Sequence, residues 1–312
     1  MDVALSILPV FFVIFLGAGA KRVGFFPEAF IREANRLAFY VGVPALLFIK
    51  LSHAPFRETF DITLALISCL SVFLVWLFSL LLVTVRAPSN AGAAASFVQA
   101  SMHGNIGYIA LAVVYYVMGD RGLGIAGFLA AFIILSQNTL SVLSFNIFSG
   151  TESSASASFL NIVRAICLNP IIISCFAGLA FSFFGLDLPM VFHRFLEILS
   201  SMALPLALLI IGASLSRSRM SRNLTWLIVS LALKLLLLPG LGSLLLYHAG
   251  AETLSITVAA ILLGAPTATV SVIMSGEMNG DITFASSEVT LSTLLSGLTF
   301  CFWTYLVGTI GP

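Results

Sequence analysis

Long apolar stretches separated by short polar clusters make up almost the whole chain. Charged residues and groups of Gly, Pro and Asn divide the sequence into ten apolar runs. A helix needs about 20 mainly apolar residues to cross a bilayer, so each run is predicted to be a transmembrane helix, and the runs are called spans 1 to 10. They cover residues 3–20, 28–50, 61–84, 92–118, 122–148, 160–183, 191–215, 224–248, 252–275 and 284–309.

The two halves of the chain share a pattern of proline and glycine. Three positions recur after 161 residues: Pro9 and Pro170, Gly17 and Gly178, and Pro44 and Pro205. A Thr-Leu-Ser motif in span 5 returns in span 10 after 151 residues, although two Leu- and Ser-rich helices could also match by chance. Internal repeats are typical of secondary transporters. We therefore predict an all-α membrane protein with a five-helix repeat over 1–148, a loop over 149–159 and a second, inverted repeat over 160–312.

Composition excludes several classes of protein. Apolar residues make up 60% of the chain and charged residues 9%, whereas soluble domains contain about 25% charged residues. The net charge of +1 and the lack of a basic, aromatic-rich patch argue against a nucleic-acid partner. The cysteines lie in apolar runs without metal-ligand spacing, and no catalytic motif is present. The sequence thus predicts no enzyme, metal or cofactor.

Lys and Arg are distributed unevenly between alternate loops. Nine lie in or beside the loops after odd spans: Lys21, Arg22, Arg32, Arg36, Arg86, Arg164, Arg217, Arg219 and Arg222. Four lie on the other side: Lys50, Arg57, Arg121 and Arg194. Because cytoplasmic loops are enriched in basic residues, we predict a protein of the bacterial inner membrane with both termini outside.

Spans 4 and 9 contain residues that interrupt helices. The polar stretch 99–107 of span 4 includes Gly104 and Asn105, and span 9 contains Pro266 followed by Thr267. Polar groups are costly in hydrocarbon unless they line a cavity, and proline removes an amide donor. We predict two broken helices, with the Asn105 amide and the positive helix end after Pro266 available to a carboxylate. The alternatives are a close helix contact in span 4 and an ordinary proline kink in span 9.

Five further polar residues lie within spans. Lys234 in span 8 could neutralise an anion or pair with an acid, and Glu288 in span 10 could bind H+ or Na+ or lie at the headgroups. Gln137 and Asn138 of span 5 lie in the zone that matches Glu288 and are candidates for substrate binding. His103, beside the predicted break in span 4, could carry a proton or serve as a hydrogen-bonding group.

Four segments together resemble the auxin efflux carrier (AEC) family, which includes plant PIN-type auxin exporters and bacterial malate or malonate permease-like proteins. They are NRLAFYVGVPALLF at 35–48, NP at 169–170, MALPLALLIIG at 202–212 and KLLLLP at 234–239. The resemblance covers nearly the whole chain and implies ten spans, a scaffold domain (spans 1, 2, 6 and 7), a transport domain (spans 3, 4, 5, 8, 9 and 10) and a homodimer.

The same resemblance implies roles for individual residues. Asn105 matches the asparagine that contacts the substrate carboxylate, and Pro266 matches the proline of the second crossover. The family has another proline seven residues after that asparagine, where this chain has Ala112. The first crossover must then form from Gly104, Asn105 and Gly107 alone.

These observations lead to one function and two rivals. The chain is predicted to move a small organic carboxylate, an auxin-like aryl acid or a dicarboxylate, by alternating access. The first rival is a Na+-coupled symporter of the bile-acid-transporter type, with ligands from Gln137, Asn138, Glu288 and Thr290. The second is a membrane sensor or scaffold without transport, against which the concentration of polar residues in spans 4 and 9 argues.

Overall fold

The computed structural model describes residues 3–55, 60–86, 88, 90–149, 168–215, 220–221 and 223–310. All but the first residue of the predicted loop 149–159 lies outside these ranges. So do five of the arginines counted for orientation: Arg57, Arg164, Arg217, Arg219 and Arg222.

Helices occupy the described part of every apolar run. The α-helices are α1 (Val3–Arg22), α2 (Glu28–Leu37), α3 (Val43–His53), α4 (Ile62–Val85), α5 (Ala91–Ala100), α6 (Leu111–Ser149), α7 (Pro170–Phe184), α8 (Met190–Ser201), α9 (Ala203–Ser214), α10 (Leu224–Ala232), α11 (Leu238–His248), α12 (Thr253–Leu263), α13 (Val270–Glu277) and α14 (Ile282–Ile310). Three π-helical turns connect helices within spans: Ala38–Gly42, Ile106–Ala110 and Leu233–Leu237. No β-strand forms within the described ranges.

Capping residues set several helix starts. Asp61 accepts the Thr63 amide at 2.8 Å before α4, and Asn90 accepts the Ala93 amide at 2.7 Å before α5. Asn169 does the same for α7, with Pro170 in the first helical position. The first backbone N–H groups of a helix have no partner within the helix. A capping side chain accepts a hydrogen bond from one of them, and a proline in the first turn lacks the N–H altogether. Span 6 was predicted from residue 160, and its described helix begins ten residues later at this cap.

The lengths and composition of the helices indicate an integral membrane protein. Seven described helical stretches are long and apolar enough to cross a bilayer, and α7 and α12 are shorter apolar helices. The longest stretch contains a reversal at Gly119, where φ is 64° and ψ is −156°, so α6 is two helices joined at one residue. Only glycine adopts such a conformation without strain. The ten-span inverted topology stays a prediction.

Polar side chains lie inside this bundle and many large apolar side chains lie outside. Lys234, Glu288, Gln99 and Gln137 have no exposed surface, whereas Leu298 is 73% exposed. This distribution suits a hydrocarbon surround, because lipid accepts apolar side chains but cannot satisfy polar ones.

Glycines allow two helix pairs to approach closely. In the contact between α1 and α9, a Cβ added at Gly17 would overlap the Leu209 carbonyl oxygen. In the contact between α3 and α7, a Cβ added at Gly178 would lie 2.9 Å from the Phe48 carbonyl oxygen. Small residues at such points let the backbones of membrane helices pack directly.

Candidate functional site

Two helix interruptions meet in the middle of the molecule. Helix α5 ends at Ala100 and helix resumes at Ile106, while α12 ends at Leu263 and α13 begins at Val270. The non-helical segments between them, 101–105 and 264–269, run antiparallel and form a single bridge at Gly104 and Thr267. The Asn105 amide donates to the Pro266 carbonyl at 2.7 Å, and the Ala268 amide donates to the His103 carbonyl at 3.1 Å.

The first segment forms without a proline. Ala112, where the resembled family has one, is fully buried within α6. The interruption depends instead on Gln137, whose side-chain oxygen accepts the Gly104 amide at 3.1 Å and whose amide nitrogen donates to the Met102 carbonyl at 2.9 Å. Buried backbone groups released from a helix need such partners. One amide side chain thus satisfies both sides of the first break.

The second segment is supported by hydroxyl groups. The Thr267 amide donates to the Ser292 hydroxyl at 3.0 Å, and the Thr267 hydroxyl donates to the Ala100 carbonyl at 3.2 Å. Each break is therefore tied both to the other break and to a neighbouring helix, the part of α6 after Gly119 for the first and α14 for the second.

Lys234 lies directly behind the crossing. Its ammonium donates to the carbonyl of Leu263, the last residue of α12, at 2.5 Å. A positive charge is favourable at a helix C-terminus, where carbonyl groups lack partners. The ammonium also lies only 3.0 Å from where a Cβ at Gly104 would be, so a larger residue at this position would press against Lys234. Lys234 therefore stabilises the end of α12 at the crossing.

Glu288 is the other fully buried ionisable residue of this region. Neither carboxylate oxygen has a hydrogen-bond partner within the described ranges. Lys234 acts on it electrostatically, and the Ser230 hydroxyl lies close enough to the carboxyl group to interact with it. Buried opposite charges offset part of each other's desolvation cost, and removing one leaves the other uncompensated. We therefore predict that Lys234 and Glu288 act as an electrostatic unit.

A cavity of about 570 Å³ opens beside the crossing. His103, Gly104, Asn105 and Asn138 line it, as does Thr269 immediately before α13. An asparagine amide offers two N–H donors, and a helix N-terminus offers unpaired N–H groups with positive potential. This combination can bind an anion without a fixed ion pair.

The His103 ring has a defined orientation. Its Nδ1 lies 2.9 Å from the Gln99 amide nitrogen and 2.8 Å from the Ser141 hydroxyl. With the amide nitrogen as donor, Nδ1 accepts and the neutral ring carries its proton on Nε2. His103 then serves as a hydrogen-bonding group at the wall of the cavity.

The structure thus separates the candidate residues of the sequence into two sets. Four line the cavity: His103, Gly104, Asn105 and Asn138. Five belong to the crossing or lie behind it: Pro266, Thr267, Gln137, Lys234 and Glu288. Thr290 was a candidate ligand of a sodium site, but it lines a different cavity. The four candidate sodium ligands are therefore not gathered at one point. Within the described ranges, no group of three or more His, Cys, Asp or Glu side chains is placed to hold a metal ion.

Sequence reasoning missed two polar residues of the cavity. The Tyr108 hydroxyl donates to the Asn35 side-chain oxygen at 2.8 Å, and both residues line the cavity. Asn35 stood in the segment that resembles span 2 of the AEC family, but nothing in the linear pattern linked it to span 4. Their contact joins residues 73 positions apart.

Comparisons with known proteins agree with this picture of a membrane transporter. The model of a family described as "Membrane transport protein" matches residues 2–304. A protein of Rhizobium meliloti named "Putative malonate transporter" is 28% identical over 305 residues, which cover 96% of this chain and 94% of the relative. An "Uncharacterized transporter" of Methanothermobacter thermautotrophicus is 24% identical over 307 residues, covering 97% of each chain.

A family match across nearly the whole chain confirms the resemblance noted from the four sequence segments. The matched proteins are transporters and not enzymes. The chain belongs to the membrane transport protein family, which is the auxin efflux carrier family.

Proposed function

We propose that this protein is a secondary transporter that moves a small organic carboxylate by alternating access. The observation that carries the proposal is the position of Asn105, whose side chain lines the cavity while its backbone amide holds the crossing. Asn105 hydrogen-bonds the substrate carboxylate, and the helix end after Thr269 supplies positive potential. Release needs no buried ion pair to break, because Lys234 is bonded to Leu263.

A dicarboxylate is the favoured substrate within this class. The relative from Rhizobium meliloti carries malonate in its name and aligns with 96% of this chain. Arg36 also lines the cavity and offers a cationic contact beside the neutral amide of Asn105, since its side chain is 68% exposed and its ion pair with Glu33 at 3.1 Å is a surface one. Asn105 and Arg36 together suit an anion with a carboxylate at each end.

Two inverted five-helix repeats are part of the proposal. The contacts of Gly17 with Leu209 and of Gly178 with Phe48 support it, because each residue lies 161 positions from its counterpart in the other contact. A Cβ added at Gly42 would lie 3.2 Å from the Ala203 Cα, and these two positions again differ by 161. Reciprocal contacts of this kind are what a pseudo-two-fold axis between repeats produces.

Movement of one domain against another would expose the site alternately. The cavity has one wall from α2, the following π-helical turn and α7, and another from the crossing, α6 and α13. The first wall belongs to the proposed scaffold of spans 1, 2, 6 and 7, and the second to the proposed transport domain. Sliding between them opens or closes the cavity without breaking either domain. A homodimer through the scaffold and an outside location of both termini complete the proposal.

Uptake of radiolabelled malonate into proteoliposomes tests the function. We expect saturable uptake that falls at least tenfold in Asn105→Ala, since a buried polar contact to a charged group is worth about 1.5–3 kcal/mol. Asn90→Ala is the matched control: it removes the asparagine that caps the start of α5, away from the cavity, and costs about 1 kcal/mol of stability. Near-normal uptake by a folded Asn105→Ala variant would refute the binding role.

The same assay separates the coupling modes. Uptake that needs Na+ would favour the symporter rival, whereas uptake that follows a pH gradient would assign H+ as the coupling ion. Uptake with neither gradient would indicate facilitated diffusion of the anion.

A further inference from the structure

A second cavity, lined by charged residues of both signs and two histidines, lies away from the crossing. Its volume is about 500 Å³, within the range of small-molecule sites, and it is formed by α3, α6 and α8. Lys50, His53, Arg121 and His193 contribute to its lining, together with Asp120 and Glu197. None of these residues has a role in the proposed site at Asn105.

The two cavities lie at opposite ends of the same helices. In span 2 the Asn105 cavity contacts Phe39, whereas the second cavity contacts Lys50, which is eleven residues or about 16 Å further along the helix. In α6 the corresponding residues are Asn138 and Asp120, which are eighteen residues or about 27 Å apart. A solute entering the second cavity therefore comes from the side of the membrane opposite to Arg36.

One ion pair crosses this cavity. The Lys50 ammonium lies 2.7 Å from the Asp120 carboxylate, and the side chains are 28% and 67% exposed. Lys50 belongs to α3, in the proposed scaffold, and Asp120 follows the reversal at Gly119 in the proposed transport domain. The cation thus lies deeper than its partner, and the pair is accessible enough to exchange with a soluble anion.

The other basic groups differ in how firmly they are held. Arg121 donates to both carboxylate oxygens of Glu252 at 3.3 Å. The His53 and His193 rings meet edge to face at 4.9 Å, and His53 Nδ1 lies 2.8 Å from the Ile49 carbonyl. The His193 ring has no hydrogen-bond partner among the described residues, so it can donate to a ligand. Lys50 and His193 are therefore the available contacts.

We propose that this cavity is a second anion site, in which a carboxylate of the transported dicarboxylate displaces Asp120 from Lys50. The exchange replaces one carboxylate by another on the same ammonium, and the displaced Asp120 carboxylate, already 67% exposed, is solvated by water. It also releases a contact between the proposed scaffold and transport domain, and binding at this end thereby frees the two domains to move. The site rests on the proposed function for its ligand class.

Equilibrium binding of radiolabelled malonate to the full-length protein in nanodiscs tests the site. We expect two binding events in the native protein, of which Asn105→Ala removes one and Lys50→Gln the other. Asp120→Asn should tighten the Lys50 event about two- to fivefold, which is the competition an exposed ion pair provides. We expect two separate events because the Lys50 and Asn105 cavities share no lining residue.

Lys21→Gln is the matched control. Lys21 is 30% exposed, close to the 28% of Lys50, and is likewise paired with one carboxylate, that of Glu28. It lines neither cavity, so both binding events should remain. Thermal unfolding of each variant confirms that the protein is folded.

Two results would overturn the second site: a single binding event that Asn105→Ala abolishes, or unchanged affinities in both Lys50→Gln and Asp120→Asn. Neither would count against transport through the Asn105 cavity. Conversely, malonate binding that is lost in Lys50→Gln, together with normal uptake by Asn105→Ala, would support the second site and refute the proposed role of Asn105.

Discussion

Both helix breaks leave buried backbone groups without helical partners, but different side chains satisfy those groups in the two breaks. In the first, the neutral amide of Gln137 satisfies the backbone, and Asn105 and His103 are left to face the cavity. The second has a proline, a serine partner and a buried lysine that binds the preceding helix end. The comparison teaches that the buried charge of Lys234 and the groups that face the ligand lie on different sides of one crossing. A carrier gains from this division, since a buried cation facing the cavity would hold an anion too tightly to release it.

Loss of the buried charge pair should have the largest effect. Lys234→Met leaves Glu288 uncompensated and the Leu263 carbonyl unpaired, so we expect destabilisation of about 3–5 kcal/mol, seen as a lower midpoint of thermal unfolding. Lys234→Met combined with Glu288→Gln should recover much of that loss, because no isolated charge then remains. A double variant no more stable than Lys234→Met would show that the two residues are not an electrostatic unit.

Loss of the amide support at the first break should have an intermediate effect. Gln137→Ala removes one hydrogen bond from the Gly104 amide and one from the Met102 carbonyl, each worth about 0.5–1.5 kcal/mol. Unfolding should occur at lower temperature, and malonate binding should weaken because the position of Asn105 depends on its neighbour. Thr139→Ala is the control: its hydroxyl bonds only the Leu135 carbonyl of its own helix, so its unfolding midpoint should barely change.

Removal of the proline at the second break should have the smallest effect. The crossing uses the Pro266 carbonyl, which any residue provides, so Pro266→Ala keeps the hydrogen bond to the Asn105 amide. We expect a loss of about 1 kcal/mol or less, chiefly from greater freedom of the unfolded chain. Uptake should stay within about threefold of the native rate. A collapse of uptake would mean that the proline ring itself shapes the crossing.

The sequence pointed to the right segments at the crossing but not to their partners. Gly104, Asn105 and Pro266 stood out because glycine, amide and proline are unusual in an apolar run. Gln137 was assigned to the substrate from its polarity alone, while the structure places its amide on the backbone of the first break. That contact joins residues 33 and 35 positions apart, and no local pattern specifies which polar group meets which.

The sequence by itself determined that this is a helical membrane protein and which segments interrupt two of its helices. These features follow from local properties: apolar length, capping residues and the backbone restrictions of glycine and proline. Only the tertiary structure decided that the two interruptions pair with each other, that Lys234 caps α12, and that Lys50 and Asp120 meet at the far end. Those contacts depend on how helices that are distant in sequence pack against each other. The lipid favours burial of the polar side chains of the spans inside the protein, but it does not specify which polar groups bond to which.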